Sequence, residues 1–303
     1  MTLASALDTA LDRTVALSYG NTGLAVRRHL STWPADPPRM DGKVVVVTGA
    51  TAGLGLAAAQ GFAALGATVH VVGRNEGKVE QVTAGIKGAV PGVCDVSSLS
   101  SLRAFTDGWT GPLDVLVNNA GVMPPHRTIT DDGIELTFAT NVIGPFWLTR
   151  RLPLAGARVI TVASGGMYGQ RLDRDLQNED YTPVKAYART KRCEVVLTEM
   201  FAARMPDTTV HAMHPGWADT PGVKESLSTF SKLTKPILRT PEQGADTIVW
   251  LGGSPVPLAT SGLFWHDRRP RSTHLFGLNR ETEADRQHLW SECVRLTGLS
   301  EQE

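Results

Sequence analysis

From Lys43 onward the chain repeats one pattern, a short apolar run rich in strand-forming residues followed by a turn and a helical stretch, and this alternation limits the folds open to it. The runs are "VVVV" at 44–47, "TVHVV" at 68–72, "AVPGV" at 89–93, "DVLVN" at 114–118, "RVITV" at 158–162, "TVHAM" at 209–213 and "GLFW" at 262–265. Strands that are apolar throughout must be covered on both faces, and helices between them supply the cover, so the sheet is parallel. The expected fold class is α/β: a doubly wound, Rossmann-type parallel sheet of about seven strands with helices on both faces. No internal repeat or low-complexity segment interrupts the pattern.

In such a sheet ligands bind beyond the carboxyl ends of the strands, so the turns there carry the functional information. The first is "TGATAGLG", which runs from a strand into the alanine-rich "GLGLAAAQGFAALG" helix that Gly66 ends. Its residues Gly49, Thr51, Gly53, Leu54 and Gly55 form a candidate pyrophosphate cradle, because glycine permits close backbone approach and a helix start favours negative charge. After the second strand stands Arg74, where an NAD-selective site would have an acid for the ribose hydroxyls. An arginine there can pair with a 2′-phosphate, so NADP(H) is preferred over NAD(H). Asp95, followed by Val96, is placed to accept from an adenine amino group, and "NNAG" contributes Asn118, Ala120 and Gly121.

The stretch "YTPVKAYARTK" contains two Tyr–Lys pairs at a spacing of four, Tyr181–Lys185 and Tyr187–Lys191. On one helical face a lysine ammonium lowers the pKa of a nearby phenol and makes it a usable acid or base. Pro183 fits a first helical turn with Thr182 as N-cap, which leaves Tyr181 outside the helix and selects Tyr187–Lys191 as the reactive pair.

The 303 residues suit one large domain, and the 30 basic and 30 acidic residues balance, which gives no electrostatic case for nucleic acid. Three scattered cysteines form neither a disulfide framework nor a zinc spacing, no metal site is expected, and a reducing, cytoplasmic location follows. No apolar run is long enough to span a membrane. Residues 1–40 read as an N-terminal extension: an amphipathic helix with Leu3, Leu7, Leu11 and Val15 at intervals of four, then the Pro-rich linker "TWPADPPRMDGK". The helix is expected to pack on the body formed by residues 41–303, with peripheral contact to a membrane or a partner as the alternative, and to be dispensable for cofactor binding.

Taken together, "TGATAGLG", "NNAG", "ATNVIG", "VASGG", "YARTK" and "HPGWADT" resemble the motifs of the short-chain dehydrogenase/reductase family, from about Lys43 to the "STHL" at 272–275. The resemblance implies an oxidoreductase that interconverts a carbonyl and an alcohol with a catalytic set of Asn141, Ser164, Tyr187 and Lys191. Tyr187 would exchange the proton, Ser164 would steady the developing oxyanion, Lys191 would lower the phenol's pKa and hold the nicotinamide ribose, and Asn141 would organise a relay water. Pro215 and Gly216 would cover the nicotinamide, and Thr220 would reach its carboxamide or the phosphates. Family members commonly assemble through the helices bearing "NVIGPF" and "YARTK", which leaves a homo-oligomer open, but the sequence does not set the oligomeric state.

Two departures stand out. Ala52 occupies the position of a second basic residue in many NADP-dependent members, and 22 residues separate Ser164 from Tyr187, more than in compact members. Such a loop resembles the retinol-dehydrogenase-like branch and points to an apolar small-molecule substrate, for which Met123, Met167, Tyr168, Trp217, Phe230 and Trp265 are candidate walls. The competing readings are a redox-sensing or interaction module without turnover, disfavoured by the complete catalytic set, and a nucleotide-sugar epimerase or dehydratase, disfavoured by the glycine spacing.

Overall fold

The computed structural model describes residues 3–12, 14, 18–219, 235–274 and 280–300. A single sheet of eight strands runs in the order β3-β2-β1-β4-β5-β6-β7-β8. Its members are β1 (Val44–Thr48), β2 (Thr68–Gly73), β3 (Ala89–Val93), β4 (Val115–Asn118), β5 (Arg158–Val162), β6 (Thr209–Met213), β7 (Phe264–His266) and β8 (Arg269–Arg271). The first seven pair in parallel, and β8 alone is antiparallel. The order reverses at β1, whose neighbours are β2 and β4, so the crevice between the β1 and β4 ends is the switch point where ligands bind in this architecture.

Helices cover both faces. The N-terminal pair is α1 (Leu3–Asp12) and α2 (Asn21–Arg28), and α3 (Gly53–Ala64), α4 (Glu76–Ala84) and α5 (Leu99–Asp107) follow the first three strands. After β4 come a short α6 (Leu136–Phe138), a π-helical stretch Ala139–Ile143 and α7 (Gly144–Arg151). The long α8 (Pro183–Arg204), α9 (Pro241–Gly253) and the terminal α10 (Glu283–Thr297) complete the layers. One core cluster lies on the side of α7, α8 and α10, with Leu116, Phe146, Val159 and Trp290; the other lies under α3 and α9, with Phe62, Val47 and Trp250. Valines in the interior of β1 and β2 reach zero exposure because both clusters close over the same strands.

The eighth strand is the element that the sequence reading did not separate. Asp267 and Arg268 between β7 and β8 both have positive φ, 51° and 56°. Tight two-residue hairpins need that conformation, and Asn-Gly is its usual signal, not Asp-Arg. Here tertiary ion pairs offset the local cost: Asp267 meets Arg27 and Arg239, and Arg268 meets Asp246.

α1 and α2 are anchored in the same place. Arg27, only 2 % exposed, bonds Asp8 of α1 at 2.8 Å and Asp267 at 2.7 Å. Asp8 also receives Arg269 and Arg271, and those arginines outweigh its burial and hold its carboxyl well below the usual range. The linker lies along α9, with Trp250 Nε1 donating to Ala35 O at 3.0 Å. The extension packs on the body through buried ions, while Leu7 is exposed.

Candidate active site

The turn after β1 is held open by hydrogen bonds from the end of β4. Thr48 Oγ1 donates to Val117 O and accepts from the backbone N–H groups of Asn119 and Ala120, each at 3.0 Å. Asn119 Nδ2 donates to Thr48 O at 2.8 Å and reaches Gly49 O. Gly49 has φ +64, and a Cβ on Gly55 would lie 2.4 Å from Gly49 O and 2.5 Å from Asn119 Nδ2, closer than any side chain tolerates. α3 begins here with Ala52 at its N-cap, and no side chain caps the first N–H groups. Free amides and a positive helix end facing a turn that only glycine can form fit a pyrophosphate.

Thr51 packs against Gly73 at the end of β2. Arg74 follows, exposed and without an ion pair among the described residues. Asp95 Oδ1 accepts from Ser97 N and Ser97 Oγ, and Val96 is buried beside Gly144. The "NNAG" run divides differently from the sequence reading. Asn118 is buried and turned away from the turn, toward Thr149 Oγ1 at 3.3 Å, whereas Asn119, which the sequence reading did not single out, braces the glycines. Successive strand residues face opposite sides of the sheet, so of two adjacent asparagines only one can reach the turn.

The reactive side chains meet above the ends of β4 and β5. Thr182 is the N-cap of α8 by its backbone angles, with no side-chain cap bond, and the helix starts at Pro183 as the sequence implies. Tyr187 and Lys191 share one face, with Lys191 Nζ 5.4 Å from the centre of the Tyr187 ring. Ser164, two residues past β5, lies beside the Tyr187 phenol, whose pKa its hydroxyl lowers, and accepts from Gly166 N at 3.2 Å. Asn141 sits in the π-helical stretch, a distortion frequent at functional sites. Its side chain bonds the backbone of Val122 on both sides and donates to Thr190 Oγ1 at 2.9 Å, tying the "NNAG" loop to α8. Tyr181 and Lys185 take no part: Tyr181 donates to Pro124 O and Lys185 pairs with Asp180.

Lys191 is 2 % exposed and has two partners, Val162 O at 2.9 Å and Glu194 Oε1 at 2.7 Å. Glu194, 3 % exposed, is a charge that the sequence reading passed over. Burial pushes its carboxyl up to about 7, against the pull of Lys191. Burial works against the Lys191 ammonium too, but the Glu194 carboxylate outweighs it and the net shift is upward. For Tyr187, burial raises the phenol, Lys191 lowers it and Glu194 raises it again, leaving it above its ordinary value.

The far wall is the loop after β6. His214 is buried, stacked on His266 at 3.9 Å between ring centres. Gly216 has φ +74, and a Cβ there would meet Tyr19 O at 2.5 Å and the Arg239 guanidinium at 2.6 Å. Tyr19, from the N-terminal segment, also packs on Gly165 beside Ser164. Tyr19 therefore links the Pro215–Gly216 loop to the turn that carries Ser164, while Thr220 and Phe230 lie outside the described residues. Of the candidate walls, Met123, Tyr168 and Trp217 are half-buried, but Met167 and Trp265 are core residues, 0 % and 5 % exposed. Met167 fills the space between α8 and β6, and Trp265 packs on Trp250, so neither faces the site.

Among the described residues no helix is long and apolar enough to cross a membrane. Residues 43–230 match the family model for short chain dehydrogenase. Human dehydrogenase/reductase SDR family member 12 is 40 % identical over 254 residues, 78 % of this chain and 80 % of that protein. Human polyprenol dehydrogenase is 33 % identical over 296 residues, 88 % of each chain. The crystal structure of 3-ketoacyl-(acyl-carrier-protein) reductase from Brucella melitensis, complexed with NADH, superposes with a TM-score of 0.60 at 25 % identity, covering 74 % of this chain and 96 % of that one. An open-crevice parallel sheet, a glycine turn that fits a dinucleotide and this breadth of similarity lead to one conclusion: the chain belongs to the short-chain dehydrogenase/reductase family, an oxidoreductase family built on a nicotinamide-binding fold.

Proposed function

We propose that the protein is an NADP(H)-dependent oxidoreductase that interconverts a carbonyl and an alcohol on an apolar small molecule, with Tyr187 as the general acid in reduction. The observation that carries this reading is the meeting of the Tyr187 phenol, the Ser164 hydroxyl and the Lys191 ammonium beside the glycine turn. The turn made by Gly49, Thr51, Gly53, Leu54 and Gly55 would hold the pyrophosphate, Asp95, Val96, Ala120 and Gly121 would line the adenosine and ribose side, and Pro215 and Gly216 would cover the nicotinamide. Bound there, the nicotinamide supplies or accepts hydride at the substrate carbon.

This chain's own residues handle the oxygen and the proton. Tyr187 donates its phenolic proton to the carbonyl oxygen as negative charge gathers there, and the Ser164 O–H donates a hydrogen bond to the same atom. The Lys191 charge stabilises the phenolate that remains. Asn141 fixes Val122 and Thr190, and so the distance between the "NNAG" loop and the face of α8 that bears Tyr187. The exposed guanidinium of Arg74 supports a 2′-phosphate. Half-buried Met123, Tyr168 and Trp217, with the likeness to a polyprenol dehydrogenase, support an apolar substrate.

The test is fluorescence titration with NADPH and NADH on the wild type and on Arg74→Ala, followed by a panel of carbonyl compounds from small and polar to long-chain. Tighter binding of NADPH that weakens selectively in the variant, with turnover favouring the long-chain compounds, is expected. Equal affinity for both cofactors would remove the NADP(H) preference, and absence of turnover with every compound would return the protein to a binding role.

A further inference from the structure

Lys191 stabilises a phenolate only as far as its charge is felt at Tyr187, and Glu194 sits on that charge. The carboxylate is one turn beyond the lysine on α8, at 2.7 Å from Nζ, and both groups are all but fully buried. A pair so close and so dry presents a dipole to Tyr187 in place of a full positive charge. Burying a carboxylate is costly, so its presence beneath the reactive lysine, between Cys193 and Val195, calls for a role.

The surroundings add a further observation. Glu194 Oε2 and Asn118 Oδ1 are both buried without a hydrogen-bond partner. Both line a cavity of about 10 Å³, bounded also by Asn141, Thr149 and Thr161. That is room for about one water, which could donate to both oxygens and keep the carboxylate solvated. The groups that α7, the π-helical stretch, β4, β5 and β6 turn toward Glu194 are neutral: Thr149, Asn141, Asn118, Thr161 and Val210. On α8 itself it faces Lys191, Tyr187 and the Cys193 thiol, so Lys191 is the one charge facing it among the described residues.

We propose that Glu194 is a positioning residue that offsets the charge of Lys191, keeps the Tyr187 phenol protonated and thereby biases the site toward donating a proton, that is, toward carbonyl reduction. The proposal rests on the reading of Tyr187 as the proton donor. Without the carboxylate, the bare ammonium draws the phenol toward phenolate, which suits the opposite direction, removal of a proton from an alcohol.

The test titrates Tyr187 itself and needs no substrate. The ultraviolet absorbance of tyrosinate is followed against pH in the protein without cofactor, and the Tyr187 step is the difference between each form and the same form carrying Tyr187→Phe. In Glu194→Gln the step is expected to fall by about one pH unit or more relative to the wild type, and Glu194→Asp, which keeps the charge, is expected to restore most of the difference. Where Glu194→Gln does not fold, Glu194→Met removes the same charge and gives the same reading. A step that stays at its wild-type position, or one that is seen in neither form, overturns the proposal. NADPH titration of the same proteins reports separately on the oxidoreductase reading: retained binding with an unmoved step sinks the role of Glu194 alone.

Discussion

Trp217 donates its backbone N–H to the carbonyl oxygen of Tyr19 at 2.8 Å, so a residue of the N-terminal extension is hydrogen-bonded to the loop that forms the far wall of the candidate site. Arg239 reinforces the join: Nε donates to Gly20 O and Nη2 to Ser18 O, while the same guanidinium is paired with Asp267. These contacts argue against the sequence-based expectation that the extension is dispensable.

Removing residues 1–40 is therefore expected to leave Asp267 and Arg239 short of partners, uncover Gly165 and release the 214–217 loop. Soluble expression, thermal melting and NADPH titration of the truncated protein read this out. A truncated protein that melts with the full chain and binds NADPH equally would mean that the extension is only an accessory. The single change Arg27→Ala isolates the ionic part: Asp8 keeps Arg269 and Arg271 and Asp267 keeps Arg239, so it removes only the link between them and is expected to cost about 1–3 kcal/mol.

Tyr187→Phe keeps the ring and removes the proton. With an accepted carbonyl compound, turnover should drop by about 10²–10⁴-fold, while NADPH affinity stays within about 2-fold. Ser164→Ala, which removes one donor to the developing oxyanion, should lose about 10²–10³-fold. Single-turnover rates at saturating cofactor distinguish these losses from a binding defect. Full activity in Tyr187→Phe would remove the phenol from the mechanism.

Gly55→Ala tests the cradle without touching a charge. The added methyl would collide with backbone at Gly49 O, 2.4 Å away, and with Asn119 Nδ2, so either the turn or the β4 end must shift. Overpacking of this kind costs about 1–3 kcal/mol. The expected result is a moderate loss of melting temperature and a larger, at least about 10-fold, loss of NADPH affinity. Unchanged affinity would mean that the pyrophosphate lies elsewhere.

How far the sequence determined these features differs from place to place. β1 to β7 and the start of α8 follow from local chemistry: short, mostly apolar runs that alternate with helical stretches, and a proline that fits a first turn. The β7–β8 hairpin does not, because Asp267 and Arg268 hold their left-handed angles through partners as distant in sequence as Arg27 and Asp246. Within the site, Ser164, Tyr187 and Lys191 are legible from motif spacing. Asn119 and Glu194 are not. The role of Asn119 depends on which side of β4 it faces, and Glu194 resembles any polar residue on a long helix until α7 and the sheet close over it. Met167 and Trp265 show the converse, apolar residues near the site in sequence that the core absorbs.

The His214–His266 stack sets an acid limit on stability. Burial, together with Arg239 for His214 and with His214 and Arg239 for His266, holds both imidazoles neutral in the folded protein: His214 falls to about 3 and His266 well below its ordinary value. Arg239 Nη2 lies 3.2 Å from His266 Nε2, and a guanidinium can only donate, so that nitrogen must accept and cannot carry a proton. In the unfolded chain both rings take up protons at about pH 6.5. Below that pH the unfolded state binds more protons than the folded one, so stability is full above about pH 6.5 and declines as pH falls through the window toward 3. Two such rings give a slope of up to about 2.7 kcal/mol per pH unit. Denaturant unfolding at a series of pH values between neutral and acid is expected to show this decline, and His214→Phe, which keeps an aromatic ring on His266, should reduce the slope by about half. An unchanged slope in that variant would assign the acid sensitivity to other groups.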